Sequence, residues 1–178
     1  MTEKEMLAVA AEKGFFAAFV PTKDIVVDYK FRKFCEDNVC GKYGANYSCP
    51  PDCGTVEEVH KKLLSKDTAL VLQMICEADW KNRDELFSAR NALNMAVLAV
   101  ADKMAEKGKK VIPLGYSGCP LCSPCRRTQN LPCAFPDRKI SCVSAYCVDV
   151  AKLTQQCGFE FEWSDTKMYL LGMVLFDK

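Results

Sequence analysis

A chain of 178 residues, 49% of them apolar, is long enough to bury a core and short enough for one domain over residues 1–178. Its 24 basic and 23 acidic residues leave no surplus of positive charge, which argues against nucleic acid as a partner. The start does not read as a secretory signal and no apolar run reaches bilayer length, so the expectation is a cytoplasmic protein with no membrane partner.

In chain order, Thr2 and Glu5 stand in capping-box spacing and Gly14 follows, which predicts a short helix. Phe15 to Val20 reads as a strand, and Ile25, Val26 and Val27 form a second short apolar run. From Tyr29 to Gly54 no helical or strand period is sustained, and cysteines and turn formers dominate. Thr55 with Glu58 caps a helix through about Leu64, and Ala69 to Ile75 suits a buried strand ending at Cys76.

Asn82 opens the clearest helix, with an inward stripe of Leu86, Leu93, Val97, Val100 and Met104 and a stop at Gly108. Lys107, Lys109 and Lys110 complement its C-terminus, and Val111 to Leu114 reads as the next strand. Strand, helix and strand in that order predict a βαβ unit with parallel strands and a right-handed crossover. Gly115 to Ile140 loses all period. A helix is then predicted from Ser141 to Cys157, stopped by Gly158, with strands at about Phe159 to Trp163 and Met168 to Phe176. The expected fold is thus α/β: one domain, a mixed sheet with a βαβ unit and flanking helices, and two long cysteine-rich metal-binding loops at about 29–54 and 115–140.

Twelve cysteines exceed what packing needs, and cytosolic thiols stay reduced, so metal binding is the leading explanation. With one histidine, His60, any metal must sit mainly on sulfur. The second loop carries Cys119, Cys122 and Cys125 at every third residue, with Cys133 eight further on. That spacing lets a curved backbone direct thiolates to neighbouring corners of one cube, as in the bacterial ferredoxin run, although Pro136 is not adjacent to the fourth cysteine. The first loop offers Cys35, Cys40, Cys49 and Cys53, with Pro50 and Pro51 stiffening the turn and Gly41 and Gly44 permitting close approach. The expected cofactor is one or two 4Fe-4S clusters on these eight sulfurs, and the alternative is all-cysteine zinc. Which four sulfurs belong together is left open, with Cys53 and Cys133 the outlying members.

Tyr43-Gly44 ahead of Cys49-Pro50-Pro51, then Gly118-Cys119 with Cys122, Cys125, Cys133 and Pro136, resembles a predicted metal-binding family, domain of unknown function 2284. The resemblance spans nearly the whole chain and implies a metal site on these motifs, not a particular reaction. Where members of that family tend to show Ser-Met-Glu-Ala-x-Gly, this chain reads Cys142-Val143-Ser144-Ala145-Tyr146-Cys147, so no acidic role is carried over. Spaced five apart on a predicted helix, Cys142 and Cys147 are expected to pack in the core rather than to ligate, as are Cys76 and Cys157.

His60 beside Lys61 and Lys62 reads as solvated, and Trp80 and Trp163 as packing residues at strand ends. Arg126 and Arg127 either offset the charge of a cluster, receive an anionic partner or are simply solvated. No phosphate-cradling loop, nucleophile elbow or zinc-protease helix is present. The sequence therefore supports three functions. The first is an iron-sulfur protein in electron transfer, with a redox partner protein. The second is a zinc-stabilised binding module. The third is an enzyme whose open-coordination cluster takes a small-molecule substrate.

Overall fold

The computed structural model describes residues 1–79, 81–162 and 164–178, so Trp80 and Trp163 lie outside the described residues. The helices are α1 (Glu3–Glu12), α2 (Lys30–Glu36), α3 (Val56–Leu64), α4 (Arg83–Glu106) and α5 (Val150–Gln156). The strands are β1 (Phe16–Pro21), β2 (Thr68–Glu77), β3 (Ile112–Gly115), β4 (Ser141–Cys142) and β5 (Lys167–Phe176). Among the described residues, no helix is long and apolar enough to cross a membrane.

The capping boxes at Thr2/Glu5 and Thr55/Glu58 both form and start α1 and α3. The side chain of Asn82 accepts from the N–H groups of Asp84 and Glu85 at the head of α4. Each cap satisfies amide donors that the first helical turn would otherwise leave unpaired.

The strands form one mixed sheet in the order β1-β2-β5-β3-β4. β5 is antiparallel to both β2 and β3, so those two run parallel, with α4 between them in the chain and β5 between them in the sheet. The βαβ unit is therefore split by the last strand rather than formed from neighbours. Both faces of the sheet are covered, which explains the nearly unbroken apolar runs of its central strands. Ala69 and Val71 of β2, with Leu171, Met173 and Leu175 of β5, pack with Val59 and Leu63 of α3 and Leu153 of α5. Leu70 and Leu72, with Leu170, Val174 and Phe176, pack on the other face with Met6 of α1 and Leu93, Val97 and Met104 of α4. This alternation is the two-residue strand period. Each fully buried large side chain contributes about 1.5–3 kcal/mol.

Three expected elements differ. Residues 30–36, expected to be irregular, form α2, which is too short to establish an apolar period and is held instead by the buried Arg32. The helix expected from Ser141 to Cys157 is broken into β4, a 3-10 turn at Val143–Tyr146, and α5. Cys147 adopts φ +59°, a left-handed conformation that ends the turn, and the side chain of Asp149 accepts from Lys152 N–H to start α5 afresh. Between these, Val148 bridges to Val27. Residues 159–162, expected to be extended in the sheet, form no strand. β2 is already flanked by β1 and β5, and its Gln73 side chain instead donates to the Glu160 carbonyl at 2.6 Å.

Gly172 of β5 lies directly beneath α4. A Cβ there would meet Val97 Cγ2 at 2.7 Å and the Leu114 carbonyl oxygen at 3.0 Å, and the latter cannot turn away. Gly172→Ala is expected to destabilise the protein by about 2 kcal/mol through overpacking. Thermal unfolding checks this, with an expected fall in midpoint of roughly 4–8 °C for a chain of this size.

Candidate metal centre

The second loop leaves β3 at the carboxyl end of the strand, and a buried asparagine of α4 sets its first turn. Asn94 donates to the carbonyls of Tyr116 and Gly118 at 2.7 and 3.0 Å and accepts from Tyr116 N–H at 2.7 Å. A Cβ on Gly115 would fall onto Asn94 Oδ1, so only glycine lets the helix approach this closely. Beyond this clamp, Cys119, Cys122, Cys125 and Cys133 line one narrow cavity with Leu121 and Phe135. Its remaining walls are Asn46, Tyr47, Ser48 and Lys139, so among the described residues no imidazole or carboxylate faces it.

The first loop wraps against this cavity. Ser48, wholly buried, accepts from Cys119 N–H at 2.9 Å and donates to Asn46 Oδ1 at 2.9 Å. Asn46 Nδ2 donates to the Cys119 carbonyl at 3.0 Å, and Tyr47 donates its hydroxyl to the Leu131 carbonyl at 2.8 Å. Arg127 closes the outer side by bonding both Asp52 oxygens at 2.9 and 3.0 Å, which gives it a structural role, whereas Arg126 is exposed. Gly118, at φ +90°, passes so close that a Cβ there would lie 3.1 Å from Cys49 Sγ.

Of the first-loop sulfurs, Cys49 and Cys53 are buried, Cys35 is half-buried and Cys40 is exposed at the rim. Burial pushes the Cys35 thiol up to about 12, with the Cys142 charge adding to the rise and Arg32 opposing it. Burial also raises Cys49, helped by Cys142 and Cys40. Cys53 is raised by burial against the pull of Arg32, and Cys119 by burial against backbone hydrogen bonds. As free thiols these groups are held neutral. Arg32, only 7% exposed, has the Ala145 and Gly54 carbonyls and Cys53 Sγ as partners, at 2.7, 2.6 and 3.7 Å, none of them a carboxylate.

Among the described residues, no three cysteine, histidine, aspartate or glutamate side chains converge closely enough to hold a single ion. Cys76 Sγ faces the Met168 carbonyl at 3.9 Å and Cys157 packs on the core, so neither joins the two groups. His60 is half-buried on α3, away from the cavity walls. Cys147 is buried and stands in the left-handed conformation, which glycine adopts most readily. The sequence reading missed Asn94, Arg32, Asn46 and Ser48. Only Asn94 carried a signal, a polar residue interrupting the inward face of α4 between Leu93 and Val97.

Asn94→Ala removes three hydrogen bonds that fix the start of the second loop. The expected cost is about 3 kcal/mol at roughly 1 kcal/mol per bond. Thermal unfolding of the protein as purified checks this, and a midpoint within experimental error of the native chain contradicts the clamp.

No curated protein and no solved structure matches the chain. One family model does, over residues 18–176, which include both cysteine loops, the clamp and the sheet. The chain belongs to the family described as predicted metal-binding protein, domain of unknown function 2284.

Proposed function

We propose that the chain is an iron-sulfur protein with two 4Fe-4S clusters, one on each cysteine loop, acting in electron transfer with a redox partner protein. The observation that carries this reading is the cavity walled by Cys119, Cys122, Cys125 and Cys133 and, among the described residues, by no other metal-binding side chain. Sulfur-only donors at this spacing are those that iron-sulfur clusters take. Cys133 faces the same cavity as the other three, which favours a closed site over an open coordination position.

A zinc ion would draw four sulfurs to about 2.3 Å from one point. Among the described residues no three thiols gather in that way. Clusters, when bound, supply a level that accepts and returns single electrons. The rest is the work of this chain. Leu121 and Phe135 give the second loop's cavity an apolar wall, and the backbone turn held by Asn46 and Ser48 fixes the direction of Cys119. Arg32 places a buried positive charge beside the first loop, where thiolates fixed on metal supply the balancing negative charge that a buried guanidinium requires. Gly118 leaves room for only a small residue beside Cys49 Sγ, where a Cβ would lie 3.1 Å away, and it is followed at once by Cys119, so the two loops bring sulfur donors close.

Iron and acid-labile sulfide measured on anaerobically prepared protein test the reading, with about eight of each expected per chain for two clusters. Colourless protein, or zinc in place of iron, contradicts it. Cys133→Ala is expected to lower iron by about half while leaving the first site loaded. Unchanged iron and an unchanged visible spectrum would place Cys133 outside the centre.

A further inference from the structure

Where the head of α4 faces the first loop, a cavity of about 260 Å³ opens beside Cys40. Lys42, Arg83 and Arg90 bring three positively charged side chains to its wall, and among the described residues no carboxylate lines it. We infer that this cavity binds a small organic oxyanion, a carboxylate or phosphate group carried on a short apolar body. The inference goes beyond the proposed function and holds whichever metal the sulfurs take.

Helix spacing puts the charges there. Arg83, Phe87 and Arg90 stand four and three residues apart in α4, so they share one face of the helix. All three line the cavity, and two guanidinium groups thus flank a phenyl ring. Lys42 comes from the first loop, where Asn38 fixes the turn. The Asn38 carbonyl accepts from Gly41 N–H at 3.0 Å and its side chain accepts from Tyr43 N–H at 3.0 Å. Lys42 Nζ lies 6.0 Å from the centre of the Phe87 ring, so it approaches the same phenyl from the loop side.

The state of these cations points to a ligand. Arg127 pairs with Asp52 and Arg138 with Asp102, yet among the described residues Lys42, Arg83 and Arg90 form no ion pair. Arg90 lies over the Tyr116 ring, 4.9 Å from its centre, and its Nε is buried with no hydrogen-bond partner. A buried donor left unpaired is costly, and a guanidinium offers its N–H groups as a fork that fits two oxygens of a carboxylate or phosphate. The ring beneath Arg90 is itself fixed, because Asn94 bonds both the N–H and the carbonyl of Tyr116. Phe87 and Val39, which also line the cavity, are 58% and 75% exposed, a surface that the apolar body of the ligand covers.

The place matters as well. A second cavity, of about 230 Å³, shares Lys42, Phe87, Asn91 and Ser117 with the first and is lined by Cys119, Cys122 and Cys125. An anion held by Arg90 and Lys42 therefore sits between the cysteines of the two loops. Cations in this position also have a simpler use, offsetting the charge of metal-bound thiolates, and the test separates the two.

Calorimetric titration of the anaerobically prepared native chain with benzoate, phenyl phosphate and inorganic phosphate tests the inference. Saturable binding of benzoate or phenyl phosphate is expected, weakening as salt is raised. Inorganic phosphate, which has no apolar body, is expected to bind more weakly than phenyl phosphate. Arg90→Gln is expected to weaken binding by about tenfold or more, as the loss of a charge-assisted hydrogen bond implies. The double variant Lys42→Gln/Arg83→Gln leaves Arg90 on Tyr116 and is expected to weaken binding as well, while Lys23→Gln, outside the cavity, keeps native affinity. Native far-ultraviolet circular dichroism and metal content in the variants show that lost binding is not unfolding. Absence of binding by both organic anions, or native affinity in Arg90→Gln or in the double variant, overturns the inference. Variants that lose metal yet bind the anions as the native chain does show that the cations only balance thiolate charge, which overturns it too. Each of these results leaves the proposed function standing, since iron and sulfide analysis decides that separately.

Discussion

The arrangement depends on one small hydrogen-bonded joint between two loops about seventy residues apart in the chain. Ser48 and Asn46, both buried, bind the N–H and the carbonyl of Cys119, and in doing so they fix the backbone of one cysteine cluster against that of the other. Neither loop has a helical or strand ladder to give it shape over this stretch. A buried backbone amide must find a partner, and Ser48 can serve the Cys119 N–H because Asn46 orients it. Asn46 Oδ1 accepts from both the N–H and the hydroxyl of Ser48, which turns the serine oxygen toward Cys119 as an acceptor. The two candidate sites are thus one structural unit, seated where β3 and β4 end.

A second constraint is charge. Burial holds Cys35, Cys49 and Cys119 as neutral thiols in the metal-free chain, yet a buried guanidinium sits beside the first loop without a carboxylate among its partners. Each half of that arrangement is costly alone. Metal binding resolves both at once, because it fixes sulfur as thiolate and so supplies the negative charge that Arg32 faces. The same coupling makes metal loading part of folding, since ordering two long loops is opposed by chain entropy until something holds the sulfurs together.

Much of the scaffold was legible because its signals are local. The capping boxes at Thr2 and Thr55, the cap at Asn82 and the apolar stripe of α4 each specify an element within a few residues, and all three helices form. Sheet order was not legible, because β5 inserts between β2 and β3 through contacts that no local pattern encodes. The break after β4 turns on the backbone of Cys147, which adopts a conformation usually left to glycine, so the apolar spacing from Val143 to Leu153 imitated a continuous helix. The second-loop cysteines could be grouped from spacing alone, since one short curve holds three of them. The first-loop cysteines could not, because their spacing is irregular and α2, which carries Cys35, is too short to leave a pattern.

X-ray absorption at the metal edge of anaerobically prepared native protein tests the central claim most directly. Iron surrounded by sulfur, with a second shell of iron around iron, is the predicted result. A single zinc shell of sulfur at about 2.3 Å, with no metal beyond it, would contradict the claim.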